Sequence, residues 1–295
     1  MRILLFLATN IAVMVLVGIV MNFFGASILA QNGVDLDLRG LLIFSAAFGF
    51  IGSFISLFLS KWMAKRSMGV QLIENPQNAD ERWLLQTVTD LATKADIKMP
   101  EVGIFPAQQP NAFATGWNKN DALVAVSVGL LRSMKQNEVK AVLAHEIAHV
   151  ANGDMVTLSL VQGVVNTFVI FFSRIIGHFV DRVILKNDRG YGIGYMVSSI
   201  VAQIVLGIFA SMIVMWFSRY REFRADEGGA TLADRQSMIA ALEALKRGSD
   251  MPDEMPATMS AFGISSGVKS GLQNLFASHP PLDDRIAALK NGGVR

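Results

Sequence analysis

The sequence contains no cysteine, and only four histidines and three tyrosines. Without cysteine there is no disulfide, no thiol nucleophile, no iron–sulfur cluster and no thiolate zinc site. A metal centre here must be built from His, Asp and Glu. Charge is also scarce, at 17% of residues against about 25% in an ordinary soluble protein. The net charge of +2 is too small to point to nucleic acid. There is no P-loop, no dinucleotide fingerprint, no Gly-x-Ser-x-Gly and no internal repeat.

What is abundant is apolar. Hydrophobic residues make up 52% of the 295, and the mean hydropathy is +0.41. Four uncharged runs approach the roughly 20 residues that cross a bilayer. They are 3–34 (apolar heart 4–24), 40–60, 155–173 and 191–218. They predict crossings at about 4–24, 40–60, 155–174 and 194–217. Any one of them could instead be a buried core helix. The first exceeds a signal-peptide h-region of about 7–15 residues and reads as an uncleaved anchor. Lys61, Lys65 and Arg66 follow the second run, and Arg219, Arg221 and Arg224 follow the fourth. The positive-inside rule then makes both termini and segment 61–154 cytoplasmic. Loop 174–190, with Arg174, Arg182, Lys186 and Arg189, fits that rule poorly. Trp62 and Trp216 stand at the cytoplasmic ends of two runs, where indoles favour the interface.

The polar segments are 63–154 and 219–295. In the first, 80–95 has apolar residues at helical spacing, from Trp83 to Ala92. Segments 102–105, 112–117 and 122–127 read as strands, the last two joined by a turn at 118–121. A helix follows over 136–152, stopped by Gly153. In the second, helices are expected at 219–231 and 235–246. A Gly-, Ser-, Pro- and Met-rich stretch at 248–267 follows, then short helices near 268–277 and 281–290.

The chemistry gathers at His145-Glu146-Ile147-Ala148-His149. On a helix the two imidazoles stand one turn apart and can share one zinc ion. Glu146 can reach a water on that metal. A catalytic zinc needs a third protein ligand. No Gly-x-x-His continues after His149, so that ligand comes from elsewhere. Glu222 and Asp226 are also one turn apart, and two carboxylates on one face repel unless a cation stands there. Glu222 is the candidate third ligand, with Asp226 accepting from a ligand imidazole. The alternative is a solvated helix on which Arg221 and Arg224 are the ion-pair partners. Two hydrophobic runs separate His149 from Glu222, so an even number of crossings returns both to one side. Asp154 reads as a cap or turn residue, and His178 as structural.

Two N-terminal apolar helices, HEIAH, two more apolar segments, an Glu-x-x-x-Asp helix and Ser278-His279-Pro280-Pro281 occur in that order. Together they resemble the HtpX family of heat-shock membrane metalloproteases, gluzincins related to the CAAX prenyl proteases. The resemblance implies one zinc per chain on His145, His149 and Glu222, with Glu146 as the catalytic carboxylate. It implies that Asn111, Ala112 and Phe113 open an edge strand that pairs with substrate, although Asn111 could be a simple turn residue. It places His279 near the active site, either as a hydrogen-bond donor to the oxyanion or as a helix cap. Arg285 follows at a spacing the motif shares and would brace it.

The expected fold is about four transmembrane helices plus a cytoplasmic, mostly helical α+β zincin-like domain with a small sheet. Its parts are 1–62, 63–154, 155–218 and 219–295. The expected function is zinc-dependent hydrolysis of misfolded or damaged membrane proteins at the cytoplasmic face of a bacterial inner membrane. The expected partners are those substrates and the lipid bilayer, not nucleic acid. A CAAX-type processing peptidase, an intramembrane protease and a non-catalytic zinc-binding membrane protein are the alternatives. Glu138, Lys140 and Asp154 bracket HEIAH and argue against a site deep in hydrocarbon.

Overall fold

A computed structural model describes residues 15, 18–19, 31, 36–187, 191–248 and 277–292. The predicted crossing at 4–24, the stretch 248–267 and the short helix 268–277 lie outside these residues but for isolated positions.

In chain order the described elements begin with helix α1 (Leu38–Ser67), strand β1 (Gln71–Leu72) and helix α2 (Ala79–Lys94). Strands β2 (Glu101–Phe105), β3 (Ala112–Asn118) and β4 (Asp121–Ser127) follow. Then come α3 (Val128–Ser133), α4 (Gln136–Asn152) and α5 (Asp154–Phe179), which runs into a π-helical turn at Val180–Ile184. The chain continues with α6 (Ile193–Leu232), α7 (Arg235–Gly248) and α8 (Leu282–Lys290). The fold is mostly helical with a small mixed sheet, as the sequence predicts. Strand β1 and helix α3 are additions, each too short to leave a period in the sequence.

Two compact units divide the chain, Met1–Ser56 with Thr157–Val214 and Leu57–Val156 with Met215–Arg295. The second holds the sheet, in the order β1-β2-β4-β3. Strands β2 and β4 are parallel, and β3 and β4 form the predicted antiparallel hairpin. Strand β3 is therefore an edge strand among the described residues. Its ladder shifts register between Gly116 and Asn118. Gly116 has φ +149, and a Cβ there would meet Asp121 O at 2.4 Å, so only glycine fits this bulge.

Helix α4 packs against α2, α7 and β3. It is buried nearly all round, with Val139, Val142, Leu143, Ile147 and Val150 in the core. Helix α2 turns Leu84, Val88 and Leu91 inward and is capped by Asn78, whose side chain accepts from Glu81 N. Gly153 ends α4 in the left-handed conformation, φ 70, with its N–H on His149 O and Val150 O. Helix α5 starts at the next residue.

In the first unit, α1 and α5 approach closely at Gly49, where a Cβ would stand 2.7 Å from Thr167 N. Asp181 accepts from Asn187 Nδ2, Gly192 N and Tyr195 N and so ties the turn after α5 to the start of α6. Among the described residues, three helices are long and apolar enough to cross a membrane: α1, α5 with its π turn, and α6. One expectation is corrected here. The apolar run at 191–218 and the polar helix at 219–231 are a single helix, α6. No proline or glycine interrupts the chain between Ser218 and Glu227, so the charges mark the end of the apolar stretch without ending the helix.

Candidate metal centre

All the residues of the centre belong to the second unit. Helix α4 supplies His145, Glu146 and His149. The polar end of α6 supplies Glu222 and Asp226, one turn apart. The two helices can meet because Gly228 and Gly229 face α4. A Cβ on Gly228 would lie 2.6 Å from Ala148 Cβ, and one on Gly229 3.1 Å from His145 N. These glycines bring the α6 carboxylates within reach of the α4 imidazoles.

Three ligand groups converge. His145 Nε2 and His149 Nε2 are 3.1 Å apart. Glu222 Oε1 is 3.2 Å from His149 Nε2, and Glu222 Oε2 is 3.5 Å from His145 Nε2. A tetrahedral zinc with bonds of about 2.0–2.1 Å has ligand–ligand edges of about 3.3–3.4 Å. The separations here, 3.1 to 3.5 Å, bracket that size, each imidazole facing one oxygen of the Glu222 carboxylate. His145, His149 and Glu222 are the one metal-competent group among the described residues.

The other ring nitrogens decide which nitrogen carries the proton of a neutral ring. His145 Nδ1 lies 2.9 Å from Asp226 Oδ1, and His149 Nδ1 lies 2.7 Å from Asp154 Oδ2. Carboxylates only accept, so both Nδ1 atoms carry the proton and donate. With both rings neutral, as metal ligands are, the two Nε2 atoms present bare lone pairs to each other at 3.1 Å. That arrangement is repulsive without a cation between them and is what a metal requires.

Each acceptor is itself held. Arg285, fully buried, donates from Nε and Nη2 to the two oxygens of Asp226 at 2.8 and 2.6 Å. Its Nη1 lies 3.4 Å from Glu222 Oε2. Arg221, also buried, donates to the backbone O of Asp154 at 2.9 Å. Sequence reasoning put Arg285 beside His279, but the fold puts it against Asp226 and Glu222. It also took Asp154 for a cap or turn residue; Asp154 does open α5, and its carboxylate orients His149.

Charge gives a second test of fit. Glu146, Asp154, Glu222 and Asp226 are all buried, and so are Arg221 and Arg285. With neutral imidazoles, four carboxylates against two guanidiniums leave two negative charges, which one divalent cation neutralises. Where protons are the only cations available, burial opposes charging of His149, but Glu222 and Asp154 outweigh it and push its pKa up to about 10. Burial likewise opposes charging of His145, and Asp226 and Glu222 raise its pKa. Burial also raises Glu146, with the nearby imidazoles pulling the other way. Glu146 Oε2 is buried with no hydrogen-bond partner in the protein.

His279 is buried, with Nδ1 2.7 Å from Glu222 Oε2. Arg219 holds this segment to α6 through Ala277 O at 2.8 Å. Burial lowers the His279 pKa. The approach to Glu222 lacks hydrogen-bond geometry: both ring nitrogens of His279 and Glu222 Oε2 are buried with no hydrogen-bond partner in the protein. Asn111, Ala112 and Phe113 are buried at the start of β3. Asn111 N donates to Ser127 Oγ, and Asn111 Oδ1 accepts from Ala112 N. His178 stands apart in the first unit, its ring 4.7 Å from that of Tyr195.

The family model for peptidase family M48 matches residues 78–292. The chain is 63% identical to Protease HtpX of Pseudomonas putida strain GB-1 over 294 residues, 99% of this chain and 100% of that protein. It is 64% identical to Protease HtpX of Pseudoalteromonas atlantica over 292 residues, 99% of each chain. The crystal structure of S. mikatae Ste24p superimposes with a TM-score of 0.60 at 17% identity. The match covers 97% of this chain and 67% of that one, and it shows a shared fold.

Proposed function

The chain belongs to peptidase family M48, and from that premise we propose how its residues divide the work of a membrane zinc endopeptidase. The observation that carries this reading is the convergence of His145 Nε2, His149 Nε2 and the Glu222 carboxylate, 3.1 Å between the two nitrogens and 3.2 and 3.5 Å from them to one carboxylate oxygen each. Zinc bound by these residues supplies Lewis acidity, lowering the pKa of a coordinated water to about 7 and polarising the scissile carbonyl.

Glu146 accepts the proton of the attacking water and passes it to the leaving amine. Its buried site and raised pKa suit a group that must both take and release a proton. Asp226 and Asp154 hold the ligand imidazoles in the tautomer that leaves Nε2 free. Arg285 and Arg221 hold those carboxylates and their backbone. His279 packs its Nδ1 2.7 Å from Glu222 Oε2 and so limits how that ligand can turn. Donation from Nε2 to an oxyanion would need the neutral Nε2–H tautomer, with Nδ1 bare toward Glu222 Oε2, which that carboxylate disfavours. Strand β3, from Asn111, Ala112 and Phe113 onward, offers an edge on which extended substrate adds a strand.

Backbone pairing selects unfolded chain rather than particular side chains, so the substrates are misfolded or damaged membrane proteins. The charges after 40–60 and 191–218 support a reading with the site and both termini on the cytoplasmic side of a bacterial inner membrane and crossings at 4–24, 40–60, 155–174 and 194–217. Digestion of an unfolded reporter by zinc-loaded, detergent-purified protein tests the reading beside Glu146→Gln. Cleavage by the wild type alone, with equal zinc in both, supports it. Equal cleavage by the variant removes Glu146 from the chemistry.

A further inference from the structure

The end of α1 packs Ala64 and Met68 on Phe105, Phe113 and Leu123 of the sheet, and ion pairs flank that contact. Lys61 bridges Glu101, where β2 begins, at 2.9 Å, and also pairs with Asp121, where β4 begins. Lys65 pairs with Glu101. The Trp117 indole, on the hairpin between β3 and β4, packs edge-on against Phe58 with ring centroids 6.2 Å apart. Its Nε1–H donates to Asp121 Oδ2 at 2.6 Å.

The depth of Phe58 follows from the sequence. The uncharged run 40–60, at about 1.5 Å per residue, is as long as the roughly 30 Å hydrocarbon core. Lys61 therefore marks the boundary, and Phe58 lies on its apolar side. Phe58 and Trp62 are 66% and 61% exposed, as suits lipid-facing residues. Trp117 is 46% exposed beside them, an indole left outside the core of a polar domain. Lys119, next but one on the same hairpin, is also exposed. An indole with its N–H satisfied, an adjacent ammonium and a contact with a membrane helix at its boundary suit the headgroup region.

We propose that the β3–β4 hairpin tip is a membrane contact, with the Trp117 ring seated between the lipid headgroups and the acyl chains. The bilayer already crossed by α1 continues onto this surface, which selects lipid over a protein partner. The proposal rests on the reading of α1 as a spanning helix. Its consequence is that β3 leaves the membrane surface directly, so a chain emerging from the bilayer meets the edge strand first.

The test uses the full chain in phosphatidylethanolamine–phosphatidylglycerol liposomes. Trp62, Trp83 and Trp216 are replaced by Phe, leaving Trp117 as the one indole. Lipids spin-labelled near the headgroup should quench its emission at least twofold more than lipids labelled deep in the chain. They should also quench it at least twofold more than a Trp83-only reference on α2. Quenching no stronger than at Trp83 overturns the proposal. A Phe58→Trp reference separates the two readings. If Phe58→Trp is quenched and Trp117 is not, only the hairpin contact falls; if neither is quenched, the spanning of α1 falls with it. Because the chain has no cysteine, Lys119→Cys can be spin-labelled in otherwise unaltered protein. Its collision rate with a water-soluble nickel chelate should be several-fold below that of Lys98→Cys. Equal rates overturn the proposal, and so does shielding that vanishes when the protein is diluted in lipid, which assigns the surface to a second copy.

Discussion

His149 Nδ1 and Asp154 Oδ2 lie 2.7 Å apart across the single-residue turn at Gly153. The contact joins the last turn of the metal-ligand helix to the first residue of an apolar helix. It fixes the tautomer and the ring plane of one ligand.

Removing that acceptor should weaken metal binding without touching a ligand. Asp154→Ala is expected to lower zinc affinity by about 10–100-fold, the usual effect of losing such a partner. Competition with a chromophoric chelator measures it. Affinity equal to wild type would show that His149 is oriented by other means.

The approach of α6 to α4 depends on glycine. Gly228→Ala places a methyl 2.6 Å from Ala148 Cβ, and neither side chain can move out of the way. Overpacking of this kind costs about 1–3 kcal/mol, and separating the helices should weaken zinc binding as well. Gly207→Ala on the same helix meets nothing within 4 Å and should be neutral. Thermal unfolding in detergent, with zinc titration, compares the two.

His279 distinguishes bracing from oxyanion donation. With Nδ1 on Glu222, His279→Ala should weaken zinc binding and lower kcat together. A pure oxyanion donor would lower kcat by about 10²–10³-fold and leave zinc affinity unchanged. Parallel metal titrations and kinetics on one reporter substrate separate these outcomes.

The protonation of His149 sets a pH dependence for the zinc-depleted protein. Its pKa is raised to about 10 from about 6.5 in the unfolded chain. A raised pKa contributes stability below pH 6.5 that is lost as pH rises toward 10. The depleted protein should therefore lose stability across that window. The zinc-loaded protein, whose metal takes the place of the proton, should not lose this contribution. Thermal unfolding of both forms at pH 6.5, 8 and 9.5 reads the difference.

Much of the metal centre is legible in the sequence because it is periodic. His145 and His149, and Glu222 and Asp226, are each one helical turn apart, and Gly153 marks where the first of these helices ends. The strands over 102–127 show as short apolar runs around a turn. Asp154 is harder to read, because a left-handed turn separates it from His149 and no helical period links them. The position of Arg285 is set by how α8 packs, which local pattern does not encode. The continuity of α6 is masked by its own charges, since Arg219 ends an apolar run without ending a helix. Here the helix is about 60 Å long at about 1.5 Å per residue, twice the hydrocarbon core, and its polar end carries Glu222 and Asp226.

The most direct test of the centre is zinc-edge X-ray absorption on the purified Glu146→Gln protein, paired with a metal count of Glu222→Ala. The expected spectrum shows one zinc per chain with two imidazoles and a carboxylate at about 2.0–2.1 Å, and Glu222→Ala should lose the carboxylate and most of the metal. One zinc per chain in Glu222→Ala, with an unchanged ligand shell, would contradict the assignment of Glu222 as the third ligand.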